Sequence, residues 1–186
     1  MLSRKRNSLA LLCLLLVCCQ EYDPTIEPTD SGQSTSATTE QTVTVLGTGR
    51  GTETYPYTVE DIQSMSNSES EAVWVIGYMV GTARYAMKNA VFSTDATNQS
   101  NILLSSDPLC TDTERCIPVE LASEKWKKSL SLPANVAHFR KCLLVKGIPS
   151  QYLNKKGLQN ISAGLWLDDF DMSSIAPQNW SIDIIS

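Results

Sequence analysis

A single histidine limits what this sequence could catalyse. A Ser-His-Asp or Cys-His arrangement would have to include His138, because the 186 residues contain no other histidine. His138 lies in the stretch NVAHFRKC, between a predicted helical turn and a predicted strand. At such a place an imidazole is more often solvated, or caps the C-terminal end of a helix, than catalytic. We therefore predict no catalytic residue and expect the protein not to be an enzyme.

Three cysteines in the second half of the chain could bind metal or form a disulfide. With His138, the residues Cys110, Cys116 and Cys142 could be imagined as a zinc set, but the spacings C-x5-C and H-x3-C match none of the usual zinc motifs. Cys110 and Cys116 flank the short loop TDTER, which a disulfide could close in an exported protein. We predict this bridge, with free thiols or another pairing as the alternative, and no metal site. Cys142 lies in an apolar stretch and is predicted to be a small buried hydrophobe.

An acidic run follows the last apolar stretch of the chain. Asp168, Asp169 and Asp171 could bind calcium or act as an acid and base pair. The run lacks the glycine and the spaced oxygen ligands of a calcium-binding loop. We predict a solvated acidic exit from the last strand.

The stretch LGTGRGTETYPYT contains three glycines after a strand-like segment, residues 42–46. The dinucleotide-binding fingerprint needs a third glycine three positions after the second, and Thr52 occupies that position. Pro56 also keeps Tyr55 out of helical geometry, and the Gly-Lys-Ser/Thr ending of a P-loop is absent. We predict no nucleotide cofactor, and no cofactor of another kind.

Aromatic and basic residues offer one candidate binding face. Barrels that bind single-stranded nucleic acid combine aromatic side chains on strands with a positive groove. Trp74, Tyr78, Tyr85 and Phe92 could form such a platform, and lysines and arginines concentrate in the C-terminal half. The alternative is that Trp74 and Tyr78 pack beneath the N-terminal segment.

Net charge argues against a polyanionic partner. The chain has 15 basic and 20 acidic residues. Arg4, Lys5 and Arg6 lie in a predicted signal peptide that contains no acid, so the mature chain has 15 − 3 = 12 basic residues and a charge of 12 − 20 = −8. Such a chain is poorly suited to binding nucleic acid through charge alone.

Residues 1–18 have the pattern of a lipoprotein signal peptide. A positive start precedes LALLCLLLV, residues 9–17, an apolar run shorter than the roughly 20 residues of a membrane-spanning helix. The end of this run, LVCC, resembles the lipobox of bacterial lipoproteins, which makes Cys19 the lipid-bearing residue. An ordinary secretory peptide is the alternative.

Residues 19–42 are predicted to be a flexible tether. They contain few large apolar residues and are rich in Ser, Thr, Pro and Gly, so they cannot bury enough surface to fold. A coil of this length spans on the order of 25 Å. The acidic stretch QEYD, which begins after Cys19, resembles the export signal of lipoproteins of Bacteroides-type bacteria. That resemblance implies the outer membrane and the cell surface, with the periplasmic face as the alternative.

Residues 43–170 have the pattern of an all-β domain with minor α, followed by a tail, residues 171–186. Thr58 and Asp61 predict the start of a short helix that ends near residue 65. Ser123 predicts the start of a second helix, and Pro118 argues that its own strand lies at a sheet edge. A further helical turn is predicted at residues 133–139. Strands are predicted at residues 73–81, 90–93, 102–105, 117–121, 142–148 and 157–167.

This order of elements predicts a five-stranded OB-fold-like barrel with a helix between its third and fourth strands and a short N-terminal helix. In the strand 73–81, alternation places Val75 and Met79 on one face, and Trp74 and Tyr78 on the other. One face should therefore line the barrel interior and the other should point outward.

The stretches PYTVED and VWVIGYMVG are similar to those of a family of uncharacterised OB-fold-like domains in secreted proteins and lipoproteins of Bacteroides-type bacteria. The resemblance covers residues 47–167 and extends to NILLSS and CIPVEL. It implies a barrel fold and an exported location, and it makes the glycine loop the opening turn of the domain. It brings no known activity and no catalytic residues.

The sequence therefore predicts a lipid-anchored, non-catalytic binding module of the cell envelope. Its ligand would be a glycan, a peptide or a protein, bound at Trp74, Tyr78, Tyr85 and Phe92. The alternative is a nucleic-acid-binding or nuclease-like OB-fold protein.

Overall fold

The computed structural model describes residues 44–65 and 70–175. The predicted signal peptide, Cys19, the whole of the predicted tether, and residues 176–186 of the predicted tail lie outside this part of the chain. Its two α-helices are α1, Val59–Ser64, and α2, Glu124–Leu130. No helix in the described part is long and apolar enough to cross a membrane.

The strands of the described residues form one sheet that closes on itself. They are β1 Val73–Ala83, β2 Ala90–Val91, β3 Asn101–Ser105, β4 Ile117–Glu120, β5 Cys142–Tyr152 and β6 Lys155–Leu167. Around the ring, β1 pairs with β3, β3 with β4, β4 with β6, β6 with β5, and β5 with β1 again. The short strand β2 pairs only with the end of β1 and lies outside the ring.

This ring is an OB-fold-like barrel, as predicted. All neighbouring ring strands are antiparallel except β4 and β6, which are parallel at Val119 and Leu158. The helix α2 lies between β4 and β5, which are the third and fourth strands of the ring in chain order. The predicted all-β class with minor α is confirmed.

A capping box begins α1 at the predicted residue. The Thr58 hydroxyl oxygen accepts from the backbone N–H of Asp61 at 3.1 Å, and the Asp61 carboxylate accepts from the N–H of Thr58 at 2.8 Å. These bonds satisfy N–H groups that a helix start leaves without partners. Val59 and Ile62 are fully buried as a result of this placement.

The two faces of β1 contribute to two different hydrophobic clusters, as their alternation predicts. Val75 and Met79 belong to the interior cluster, which combines inward residues of all five ring strands with residues of α1 and α2. Tyr78 belongs to the outer cluster, on the outside of the barrel. Its buried members are Ile76, Tyr78, Val80, Ala83, Met87, Leu103, Cys110, Cys116, Cys142 and Leu144.

A register shift between Met79 and Gly81 marks a bulge in β1 opposite β3. At Gly81 a Cβ atom would clash with the carbonyl oxygen of Val91 in β2. A side chain here would separate the two strands, so glycine permits the close approach at this bend.

Two local predictions need correction, and a third is confirmed with a tighter type of helix. The strand β4 is paired on both sides, so Pro118 does not lie at an edge. Its missing N–H is tolerated because β4 and β6 pair at a single residue position. Residues 44–46 of the expected first strand are not in a strand. The expected helical turn at residues 133–139 is two short 3-10 helices, Leu132–Ala134 and Val136–His138.

The glycine-rich loop is a turn held by its own backbone. Gly49 and Gly51 have φ values of +97° and +69°. The N–H of Gly49 donates to the carbonyl of Pro56 at 2.8 Å, and the N–H groups of Arg50 and Thr52 donate to that of Tyr55 at 3.1 and 3.2 Å. These N–H groups are therefore engaged within the loop, as expected of an opening turn.

Candidate functional site

The loop after β1, residues 84–100, presents an exposed aromatic ring. Tyr85 is 78% exposed, and its φ of +65° is one that bulky residues rarely adopt. The guanidinium of Arg84 lies 4.8 Å from the centre of the Tyr85 ring and donates to its hydroxyl oxygen at 3.0 Å. Asn89 fixes the backbone here, because its Nδ2 donates to the carbonyl of Arg84 at 2.9 Å.

A buried amide supports the base of the 84–100 loop. Asn101, at the start of β3, is 1% exposed. Its Nδ2 donates to the carbonyl of Ala83 at 2.7 Å, and its Oδ1 accepts from the N–H of Ala83 and the hydroxyl of Thr82, both at 2.9 Å. Asn98 adds bonds from its Nδ2 to the same hydroxyl and carbonyl, at 2.7 and 3.0 Å. A satisfied buried network of this kind is rigid, so the loop has a fixed base.

A polar cavity of about 400 Å³ lies beside this network, lined by Arg84, Thr97, Asn98 and Gln99. Thr97 and Gln99 are exposed. Asn98 is committed to the network, whereas the side chains of Thr97 and Gln99 make no hydrogen bond within residues 44–65 and 70–175. The cavity therefore offers hydroxyl, amide and guanidinium groups to a ligand, next to the ring of Tyr85.

The four aromatic residues predicted as a ligand face do not form one platform. Tyr78 is 8% exposed, and Trp74 and Phe92 are half-buried against the outer cluster. Of the four, Tyr85 alone is exposed. The physical reason is that the outward face of β1 is covered by the chain itself.

This cover comes from both ends of the described domain. Val45 packs on the outer cluster from the N-terminal side, and Phe170, Met172 and Ile175 pack on it from the C-terminal side. The N–H of Met172 also donates to the hydroxyl oxygen of Tyr78 at 2.9 Å. The predicted alternative, in which Trp74 and Tyr78 lie beneath the N-terminal segment, is the better description, with the C-terminal segment 168–175 added.

Two pKa values are shifted where this segment contacts β1. Burial raises the pKa of the Tyr78 hydroxyl, although the bond from Met172 acts in the opposite direction. The pKa of Asp171 is lowered mainly because the Ser173 hydroxyl and N–H donate to its carboxylate, at 2.7 and 2.9 Å. Asp171 thereby caps the 3-10 helix Met172–Ser174.

A second cleft, of about 360 Å³, lies between this segment and the start of α1. Its polar lining includes Thr58, Glu60, Ser106 and Asp171. These groups already bond within the protein: the Ser106 hydroxyl donates to Glu60 at 2.6 Å, and Thr58 caps α1. The cleft is therefore a weaker candidate than the cavity beside Tyr85.

The cysteines predicted to form a bridge lie side by side as thiols. The sulfur atoms of Cys110 and Cys116 are 3.9 Å apart. Cys142 is a buried free thiol in β5, in agreement with its predicted role as a small hydrophobe. Burial raises the pKa of Cys142 to about 12. The Cys110–Cys116 disulfide itself stays a prediction.

His138 is neither freely solvated nor a cap of an α-helix. Its ring stacks on Trp166, with centres 4.4 Å apart, and its Nε2 lies 3.3 Å from a carboxylate oxygen of Asp168. Asp168 is therefore engaged with His138 rather than simply solvated. Among the described residues no group of three or more His, Cys, Asp or Glu side chains could hold a metal ion.

The basic residues of the C-terminal half are dispersed and mostly engaged. Lys127 pairs with Glu124 at 2.7 Å, Lys155 pairs with Glu114 at 3.0 Å, and the ammonium of Lys125 lies over the ring of Trp126. The described residues contain 12 basic and 13 acidic side chains, a net charge of 12 − 13 = −1. This nearly neutral balance gives little support to the positive groove that nucleic-acid-binding barrels use.

Sequence reasoning found Tyr85 but missed the polar residues around it. Arg84, Thr97, Gln99 and Asn101 were not singled out, because no spacing rule links them. The available signal was composition: the run TDATNQSN between two predicted strands concentrates side chains that hydrogen-bond.

The closed ring, with a helix between its third and fourth strands, defines an OB-fold-like barrel protein with a polar site at one loop. Residues 57–167 match a family described as a domain of unknown function, DUF6359. The match spans more than half of the 186 residues, and the chain belongs to this family. The expected membership in a family of uncharacterised domains is thereby confirmed.

Among solved structures, the protein is similar to the hypothetical protein ygiW from E. coli. The two share 12% sequence identity with a TM-score of 0.35, over 59% of this chain and 87% of that chain. No curated protein matches the sequence.

Proposed function

We propose that this protein is a lipid-anchored binding module of the cell envelope that binds a hydroxyl-rich ligand, such as a glycan, at the 84–100 loop without chemically changing it. The observation that carries the proposal is Tyr85. Its backbone is strained, its ring is exposed, and it lies beside a polar cavity in a loop with a rigid base.

The backbone strain at Tyr85 is not offset by burial of its side chain. A non-glycine residue in the left-handed region costs about 1–2 kcal/mol. Leu153 is in the same region, with φ of +52°, but it lies in the tight turn between β5 and β6 and packs on the outer cluster. Tyr85 is mostly exposed and gains little by burial. Backbone strain that packing does not offset is often found at binding sites.

The groups beside Tyr85 favour a neutral, polar ligand. Arg84, Thr97 and Gln99 together supply several donors and the acceptor oxygens of a hydroxyl and an amide. An aromatic ring next to such groups can cover the apolar face of a sugar while they bond to its hydroxyls. In OB-fold barrels the loop between the first two barrel strands is one of the regions that bind oligosaccharides and oligonucleotides, and the 84–100 loop occupies this position.

The proposed location rests on the N-terminal sequence. A short apolar run that ends in LVCC supports lipidation at Cys19, and the acidic stretch after it supports export to the outer membrane of a Bacteroides-type bacterium, facing the cell surface. The periplasmic face is the alternative. Several buried acyl chains, at about 0.8 kcal/mol per methylene, would anchor the protein firmly.

Binding to a glycan array tests the proposed site. We expect a glycan signal from the unmodified protein, and a loss of at least about tenfold in affinity for Tyr85→Ala and for Gln99→Ala, each equivalent to about 1.4 kcal/mol. Lys125→Ala is the matched control, because it removes another cation–ring contact far along the chain in α2 and should leave binding unchanged.

Two results would count against this function. Equal binding by the Tyr85→Ala variant would place the ligand elsewhere. Binding of single-stranded oligonucleotides in preference to all glycans, with affinity that falls steeply as salt rises, would favour the nucleic-acid alternative.

A further inference from the structure

Two thiols face each other in the outer cluster, in a loop separate from the 84–100 loop. The sulfur atoms of Cys110 and Cys116 lie 3.9 Å apart, and both thiols donate to the carbonyl of Asp112, at 3.4 and 3.3 Å. A disulfide has its sulfurs about 2.05 Å apart. The two sulfurs would therefore have to approach each other by about 2 Å to form the bond.

The backbone on both sides of this pair is fixed. The N–H of Cys110 donates to the carbonyl of Asp107 at 3.1 Å, and the N–H of Cys116 donates to that of Thr113 at 3.3 Å. Between them, Asp112 caps the 3-10 helix Thr113–Arg115. The two thiols are thus kept close together by the loop rather than by chance orientation of free side chains.

We propose that Cys110 and Cys116 are a reversible dithiol–disulfide site, oxidised by thiol–disulfide exchange, and that Cys142 is a bystander. Cys110 reacts first, because it is 5% exposed whereas Cys116 is fully buried. Cys142 is excluded because it lies within the ladders of β5, paired with Tyr78 on one side and Leu167 on the other.

The oxidant is a disulfide, R–S–S–R, of a small thiol or of a redox protein. The Cys110 thiolate attacks one sulfur of R–S–S–R, and the other leaves as a thiolate that takes up a proton. Cys116 then loses its proton and attacks the sulfur of Cys110, which expels the second R–S group. Two electrons pass from the cysteine pair to the reagent, and two protons end on the two R–SH products.

The order of attack agrees with the acidity of the second thiol. Burial, reinforced by neighbouring Cys110, raises the pKa of Cys116 to about 12. Free Cys116 is therefore a poor nucleophile at neutral pH. It becomes effective only when the mixed disulfide is formed next to it.

Bridging would stiffen a junction between three parts of the barrel. Gln63 in α1 donates from its Nε2 to the carbonyls of Glu114 and Cys116, at 2.8 and 3.2 Å. Lys155 in β6 donates to the carbonyl of Thr113 at 2.8 Å. The loop between the two cysteines thus connects α1 to the start of β6, and its oxidation state sets how firmly it does so.

Peptide mapping of the full chain tests this site. The reduced, folded protein is incubated with oxidised glutathione, quenched with acid, alkylated under denaturing conditions and digested. We expect a linked peptide that joins Cys110 to Cys116, lighter by two hydrogen atoms, with Cys142 alkylated. Cys142→Ser is the matched control and should form the same bridge at the same rate.

The single variants test the order of attack. Cys116→Ser should accumulate a glutathione adduct on Cys110, and Cys110→Ser should form at least about tenfold less adduct on Cys116. Alkylation of both Cys110 and Cys116 after oxidation, or a bridge that includes Cys142, would overturn the proposal. The unmodified chain gives this answer even if a variant fails to fold, and the result is independent of glycan binding.

Discussion

Tyr85 is a strained residue of the 84–100 loop, and Asn101 at the start of β3 supports the base of that loop. Tyr85 has an unfavourable φ and an exposed ring, while Asn101 is buried with its amide hydrogen-bonded to both backbone groups of Ala83. Removing such a buried partner leaves unsatisfied polar groups, which costs about 1–3 kcal/mol each. The rigid base thus allows the strained residue to persist.

The strain at Tyr85 can be measured with a pair of substitutions. Tyr85→Gly should be more stable than Tyr85→Ala by about 1 kcal/mol, because glycine adopts a positive φ without steric cost while alanine does not. At an ordinary exposed position with negative φ the order is reversed. The free energy of unfolding in urea measures the difference, and a more stable alanine variant would contradict the strain.

At the scale of elements, the C-terminal segment 168–175 closes the outward face of β1. Its bonds join residues far apart in sequence: the contact between Tyr78 and Met172 spans 94 positions. Local patterns carry no information about such a contact. This is why the sequence predicted an open aromatic face where the structure has a covered one.

The attachment of this segment should weaken in acid. The pKa of Asp171 is lowered from its ordinary value of 3.8 by the bonds from Ser173. A carboxyl whose folded pKa is depressed contributes stability above its unfolded pKa, and this contribution is lost as the pH falls through the folded pKa. We therefore expect the amide signal of Ser173 to change with an apparent pKa below 3.8 in an NMR titration.

Asp171→Asn is the control for this titration. Its amide oxygen can still accept a hydrogen bond but carries no titrating charge, so the signal of Ser173 should stay nearly constant over the same range. A full titration in the variant would assign the effect to another group.

Other elements followed directly from local chemistry. Thr58 and Asp61 form a capping box at the predicted helix start, and the alternation of Trp74 with Val75 correctly separated the two faces of β1. The site was harder to predict, since Arg84, Gln99 and Asn101 meet only when β1 and β3 are paired. The prediction that Pro118 lies in an edge strand was wrong because closure of the ring gives every ring strand two neighbours.

At the scale of the whole molecule, most of the acidic excess lies outside the barrel. The mature chain is predicted to carry −8, whereas residues 44–65 and 70–175 carry 12 − 13 = −1. Seven acids therefore belong to the remaining segments, five of them before residue 44. The barrel itself is nearly neutral, which suits a neutral ligand better than a polyanion.

Lipid anchoring can be tested with adjacent cysteines. Metabolic labelling with a fatty-acid probe should mark the protein. In cell fractionation the protein should be found with the membranes. Cys19→Ala should abolish both results, because it removes the thiol that carries the lipid. Cys18→Ala is the matched control and should keep both, since a small residue before the lipidated cysteine is typical of a lipobox. Label retained by the Cys19→Ala variant would move the anchor elsewhere.

Closure of the ring affects how neighbouring molecules can pair through their strands. In the described part of the chain, each of the five ring strands has two partner strands, although β4 and β6 pair at one residue position only, and the two-residue β2 has one partner. Open sheet margins are the places where neighbouring molecules join strand to strand and aggregate. With the proposed membrane anchor, neighbouring copies would have few free strand edges through which to pair, so each could stay separate and keep its 84–100 loop accessible to the proposed ligand.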